Sequence, residues 1–208
     1  MTLTLPQGIA DKPSMVYRLT VDDYHDMIAS GLLREGAPYE LLDGQVLLKI
    51  RNASEEDPMT VGTHHMTIVM RLADLSPRFQ RWGCHIRSQG PVTLPPYDEP
   101  EPDAAIVRGS RGDYLERHPT AQDILCGIEV ADASLPRDRG YKQQIYANSG
   151  IPQYVILNLP DRLAEVYTQP LAGKGRYAQS ITLSPSQSLT LPTARKKSVT
   201  VPVRTLLP

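Results

Sequence analysis

Ile124-Leu125-Cys126-Gly127-Ile128-Glu129-Val130-Ala131 is an apolar run holding a single carboxylate, and its reading decides the fold. So short a run reads as a buried strand. The segment Arg137–Asn148 has helical character and is stopped by Ser149-Gly150-Ile151-Pro152. A second apolar run, Gln153–Asn158, follows at once. Strand, helix, strand is the signature of a crossover connection. It sits in a chain otherwise rich in hairpin signals. The expected class is therefore α/β, with a central mixed β-sheet flanked by α-helices.

Working outward, Pro102-Asp103-Ala104-Ala105-Ile106-Val107 reads as a neighbouring strand and Arg162–Tyr167 as another, after a Pro160-Asp161 turn. His85–Leu94 predicts a strand broken at Gly90-Pro91. From Gly62 to Gln80, the spacing of Met66, Val69, Leu72, Ala73 and Leu75 fits a helix, which Pro77 cuts near its end. Tyr39–Ile50 is a hairpin turning through Asp43-Gly44. Thr20 caps a helix with acids in its first turn and Gly31 as its stop. Residues 51–61 read as a loop, and Ile181, Leu183, Leu189 and Leu191 mark strand fragments in the tail. Residues 1–17 are expected to form an N-terminal arm, and 18–208 a single domain.

Composition narrows the function classes. A chain of 208 residues suits one well-buried domain. A net charge of −1 gives no global attraction to nucleic acid or anionic membrane, so any DNA contact must be local. Cys84 and Cys126 lack CxxC spacing and read as reduced and buried. No apolar run approaches the roughly 20 residues of a membrane span, and the N-terminus has no signal-peptide pattern. The expected location is cytoplasmic.

The chemistry lies in acids placed inside apolar strands. An ionised carboxylate there needs a partner or a metal to offset its desolvation. Asp103 and Glu129 on adjacent strands could enter one coordination sphere, with the Val130 carbonyl as a third oxygen. Such a donor set suits Mg²⁺ or Mn²⁺, which take oxygen ligands and usually one or two carboxylates. Lys142 on the following helix would polarise an attacking water and steady phosphate charge, and Glu40 would be an accessory acid. Each piece has a blander reading: Pro-Asp arises by chance, Glu129 could pair with an arginine, and a helical lysine is ordinarily solvated. Only the ordered combination carries weight.

The same residues carry a resemblance. Thr20-Val-Asp-Asp-Tyr24, Tyr39-Glu-Leu-Leu-Asp-Gly44, His65, Glu99-Pro-Glu-Pro-Asp103, Ile128-Glu-Val-Ala-Asp-Ala-Ser134 and Tyr141-Lys-Gln-Gln-Ile-Tyr-Ala-Asn-Ser-Gly-Ile-Pro152 stand in one order along about two thirds of the chain. They resemble the Uma family of endonucleases, within the restriction-endonuclease-like PD-(D/E)xK nuclease superfamily. The resemblance implies a restriction-endonuclease-like core, with metal bound by the aspartate and the glutamate. It departs at one point: the superfamily's lysine stands two residues after the glutamate, where this chain has Ala131. The resemblance implies that the lysine has moved to Lys142.

Other positions read more plainly. His65 is expected first to cap or pack, with orienting a metal site or contacting phosphate as the alternative; Asp43 to turn the chain; Gln89 to be a satisfied edge residue or to touch substrate; Ser134 to cap the next helix or to hydrogen-bond locally; and Tyr146 to pack in the core. Arg78, Arg81, Arg87 and Arg195-Lys196-Lys197 read first as solvated charge, although they could track phosphates. The leading expectation is a Mg²⁺- or Mn²⁺-dependent endonuclease acting on DNA, with Asp103, Glu129, Lys142 and Glu40 as its catalytic set. Cutting both strands needs two sites, which a homodimer would supply. The alternatives are a catalytically inactive nucleic-acid-binding or regulatory module on the same fold, and a structural protein with a buried Glu129–Lys142 ion pair.

Overall fold

The structure, a computed structural model, describes residues 17–49 and 62–207. The arm expected over 1–17, apart from Tyr17, and the loop expected over 51–61 lie outside the described residues.

Helix α1 (Val21–Ala29) starts at Thr20, whose hydroxyl accepts from the Asp23 N–H while the Asp23 carboxylate accepts from the Thr20 N–H. This reciprocal cap satisfies two donors at the helix start. Strands β1 (Tyr39–Leu42) and β2 (Gln45–Leu48) form a hairpin through Asp43 and Gly44, both with positive φ. That is the turn geometry an Asp-Gly pair favours. Helix α2 (Thr63–Asp74) is followed by the separate short helix α3 (Ser76–Gln80), with Pro77 in its first turn. The break falls where the sequence places it, because proline suits a helix start and not an interior.

The main sheet has six strands in the order β3 (Cys84–Ser88), β4 (Ala104–Arg108), β5 (Ile124–Ala131), β6 (Gln153–Asn158), β7 (Leu163–Leu171) and β8 (Arg176–Leu183). Only β5 and β6 pair in parallel; the other neighbours are antiparallel. The parallel pair requires a crossover, and helix α4 provides it. It runs as Leu135–Arg137, a π-helical turn Asp138–Lys142 and Gln143–Asn148 in unbroken succession. The helix thus begins two residues before the expected start at Arg137. The hairpin β9 (Ser188–Pro192) and β10 (Ser198–Pro202) and the short helix α5 (Val203–Leu206) complete the described chain.

Two apolar layers cover the sheet. Ile68, Leu72 and Phe79 from α2 and α3, with Leu189 and Val199 from the last hairpin, pack on the face presenting Ile106, Ile128 and Val155. Tyr146 and Ile145 of α4 pack on the opposite face, with Ala105, Val107, Ile156 and Tyr177. Side chains alternate along a strand, so this division fixes where the acids go. Glu129 lies between Ile128 and Val130, and Asp103 precedes Ala104, all three of which belong to the first layer. Both acids therefore face α4.

Two local readings are corrected and a third is narrowed. The strand expected over 85–94 ends at Ser88, because Gln89 takes φ +48° and turns the chain. Of the two roles read for Ser134 the local one holds: its hydroxyl donates to Asp138 Oδ2 at 2.6 Å and makes no side-chain cap. The tail read as fragments forms the full strand β8 and the β9–β10 hairpin.

Candidate active site

The strand alternation puts Asp103 and Glu129 under α4, where Glu40 and Lys49 from the β1–β2 hairpin and Asp138 and Lys142 of α4 itself join them. Glu40, Asp103, Glu129 and Lys142 are buried at 0%, 3%, 2% and 0% exposure. Lys142 Nζ lies 2.8 Å from Glu40 Oε1 and 3.0 Å from Glu129 Oε1. The displaced lysine therefore points into the sheet and meets both acids expected beside it. Tyr146, one helical turn on, donates its hydroxyl to the same Glu129 oxygen at 3.0 Å. The Tyr146 ring packs over Gly127, where a Cβ would stand 3.7 Å from it, at ordinary contact distance.

Asp103 is held from three sides. The Val130 N–H donates to Oδ2 at 2.9 Å, His65 Nε2 stands 3.1 Å from Oδ2, and Lys49 Nζ lies 3.6 Å from Oδ1. Lys49 also donates to the Glu101 carbonyl at 2.6 Å. Glu40 arrives from the β1–β2 hairpin, which is fastened to the loop before β4 by backbone bonds between Leu41 and Glu99. The Glu101 N–H donates to Glu40 Oε1 at 2.8 Å. One loop thus ties Glu40, Lys49 and Asp103 together.

The electrostatics follow from burial and charge order. Burial raises the Glu129 carboxyl, and Asp103 and Asp138 raise it further; Lys142 and Lys49 only partly oppose them, leaving it at about 8. Burial alone would pull Lys142 down, but Glu129, Glu40 and Asp138 outweigh it and hold the ammonium above its ordinary value. Asp103 is kept well below the ordinary carboxylate range despite burial, through the His65 contact and the Lys49 charge. Glu40 is also lowered, chiefly by Lys142 acting against burial. Asp138, on the π-turn, is raised by burial although Lys142 opposes it.

Four carboxylates stand against two lysines in the buried cluster, and with Glu129 held at about 8 one of the four keeps its proton at neutral pH. Three of the acids also keep an oxygen without a hydrogen-bond partner: Glu40 Oε2, Asp103 Oδ1 and Asp138 Oδ1. Buried orphan acceptors of this kind call for an explanation. Among the described residues, no three His, Cys, Asp or Glu side chains stand close enough to cage a metal unaided. Any cation here would share two carboxylates with backbone, water or phosphate oxygens, which is how Mg²⁺ is ordinarily held.

Sequence reasoning placed Asp103, Glu129, Lys142 and Glu40, and all four converge. It missed Lys49, Asp138 and the hydroxyl role of Tyr146, and it read His65 first as a capping or packing residue, with a part in the site as the alternative. Lys49 carried a usable signal: it is a lone charge closing the apolar run Val46-Leu47-Leu48, as Glu129 is a lone charge within its own.

The family profile described as "Uma2: Putative restriction endonuclease" matches residues 21–204. The chain belongs to the Uma2 family. The Uma2 fold is also seen in a solved structure, "a putative nuclease belonging to DUF820" from Anabaena variabilis. It is 14% identical, superposes with a TM-score of 0.64 and is matched over 90% of this chain and 97% of its own. At that identity the likeness shows the fold. Among curated proteins none matches this Uma2 chain.

Proposed function

We propose that this Uma2 protein is a metal-dependent endonuclease that hydrolyses DNA phosphodiester bonds, with Asp103 and Glu129 as ligands of Mg²⁺ or Mn²⁺. The observation that supports this reading most is the convergence of Lys142 on Glu129 and Glu40, beside Asp103, in a buried cluster whose acids keep unpartnered oxygens. A divalent cation would give such oxygens a partner and let Glu129 ionise, and the oxygen-only donor set is of the hard type it prefers.

The Asp103 and Glu129 carboxylates, with the Val130 carbonyl, would hold the cation. Glu129 would give up its proton to do so. The chemistry supplied there is Lewis-acid polarisation of a phosphoryl oxygen and a lowered pKa for bound water. Lys142 would exchange one carboxylate contact for the scissile phosphate and steady the charge that builds on it. Glu40 would keep the ammonium aimed, and Lys49 and His65 would fix the Asp103 rotamer. Cleavage of both strands would call for two copies of the chain.

Plasmid nicking tests the reading. The wild-type chain should nick supercoiled DNA with Mn²⁺ or Mg²⁺ and not with a chelator, and Asp103→Ala and Lys142→Ala should abolish it. Undiminished cleavage by either variant overturns the assignment. A second reading, an inactive nucleic-acid-binding module, draws on the full burial of Lys142 between two carboxylates, which leaves its ammonium already engaged. Calorimetry separates the two. The enzyme should take up Mn²⁺ through Asp103 and Glu129, whereas the module should bind DNA without it.

A further inference from the structure

A cavity of about 800 Å³ opens beside the acid cluster, between α1, the turn at 34–38 and the loop before β4. Its inner wall is Lys49 and Glu101. These are the residues that reach Asp103, through the Lys49 ammonium, and Glu40, through the Glu101 N–H. A second cavity of about 540 Å³ adjoins it, and His25 and His118 line both. The two form a track leading away from the cluster, with Arg87 and Arg117 at its far end.

The lining suits bases more than it suits a duplex. Tyr39, half-buried, and Tyr24, largely buried, are among the residues lining the inner cavity. His25 is half-exposed, yet its Nε2 is fixed at 2.9 Å from Glu99 Oε1. Glu99 itself is buried and also accepts from the Thr93 hydroxyl at 2.8 Å. The imidazole is therefore presented to the cavity in a set orientation, which lowers the entropic cost of stacking on it. His118 is likewise anchored, its Nδ1 lying 3.1 Å from Arg87 Nη2. Rings for stacking, followed by cations for phosphates, are the two elements of single-strand recognition. A base paired inside a duplex cannot enter such a concavity unless it is extruded from the stack.

We propose that these linked cavities hold unpaired nucleotides flanking the scissile phosphate, so that the substrate is single-stranded or locally unpaired DNA. The assignment rests on the nuclease reading for its chemistry, while the cavity itself can be tested by binding alone. Ala29 is exposed at the end of α1 and lines the inner cavity, so Ala29→Trp fills it without disturbing the core. The full-length protein is titrated, without metal, with a fluorescent hexadeoxynucleotide and with a blunt duplex of equal length. The single strand should bind more tightly than the duplex, and Ala29→Trp should weaken its binding about tenfold, the scale of one lost stacking contact. Equal binding of the single strand by wild type and variant overturns the proposal, and so does a preference for the duplex. If Ala29→Trp fails to fold, Arg34→Glu at an exposed position on the same wall gives the same comparison. With Mn²⁺ added, loss of all cleavage alongside intact discrimination would count against the nuclease reading only. Cleavage of duplex and single strand at equal rates would count against the cavity assignment only.

Discussion

Lys142 Nζ lies 2.8 Å from Glu40 Oε1, and neither side chain reaches solvent. Truncating one member of a buried pair strands the other, at a cost of about 3–5 kcal/mol. Lys142→Met should therefore lower unfolding free energy by about that much, as read by urea denaturation without metal. Glu40→Gln combined with Lys142→Met should recover part of the loss, because the stranded charge is gone. Additive losses in the double variant would mean that the two do not act as a pair.

Glu129 sets a pH dependence. Its folded value of about 8 stands above the ordinary 4.5, so between those limits the folded chain holds more protons than the unfolded one. Stability of the metal-free protein should then fall as pH rises from about 5 to 8. Glu129→Gln should flatten that slope. Asp103 acts in a separate window: its value is lowered, so its contribution is present at neutral pH and lost as pH falls below its ordinary 3.8. Melting temperatures across pH in both proteins would expose a slope of the wrong sign.

Tyr146 gives Glu129 a hydrogen bond within the core. Tyr146→Phe keeps the ring over Gly127 and removes only the hydroxyl. The expected loss is about 1–3 kcal/mol, the range for a buried bond to an ionisable acceptor. An unchanged melting curve would mean that the hydroxyl contributes nothing to holding Glu129.

Gly44 carries the hairpin that delivers Glu40. Its φ is +73°, and a Cβ there would come within 2.6 Å of Arg18 Cβ and 2.9 Å of Arg18 Cα. Gly44→Ala should cost about 1–3 kcal/mol through backbone strain and that clash. It should also disturb the site from a distance, seen as weakened Mn²⁺ uptake in calorimetry. Wild-type stability would show that the turn yields freely.

The strand–helix–strand reading and the order of the acids were legible because both depend on local pattern: apolar runs for β4, β5 and β6, and lone charges within them. The two-residue period then places Asp103 and Glu129 on one face, and a crossover helix can only cover one of the two faces. Lys49 and His65 were harder. Each meets Asp103 through an element far away in the chain, the β1–β2 hairpin and α2, whose docking no local period encodes. The π-turn at Asp138–Lys142 was equally hidden, since the residue types there suit an ordinary helix. Ser134 takes the local of its two expected roles: its hydroxyl donates to the buried Asp138 carboxylate, and its oxygen accepts from no helix N–H.

The single parallel pairing bears on how the chain folds. Antiparallel neighbours such as β6, β7 and β8 can zip from short turns, whereas β5 meets β6 only after the intervening segment has closed as a long loop. The Glu129–Lys142 contact forms with that closure. Refolding monitored by stopped flow should then show far-ultraviolet secondary structure ahead of the native near-ultraviolet aromatic signal, with metal binding acquired at the slower rate. Nascent chain would thus pass through a sheet that lacks its ion pair, and competence to bind a cation would mark the completion of folding.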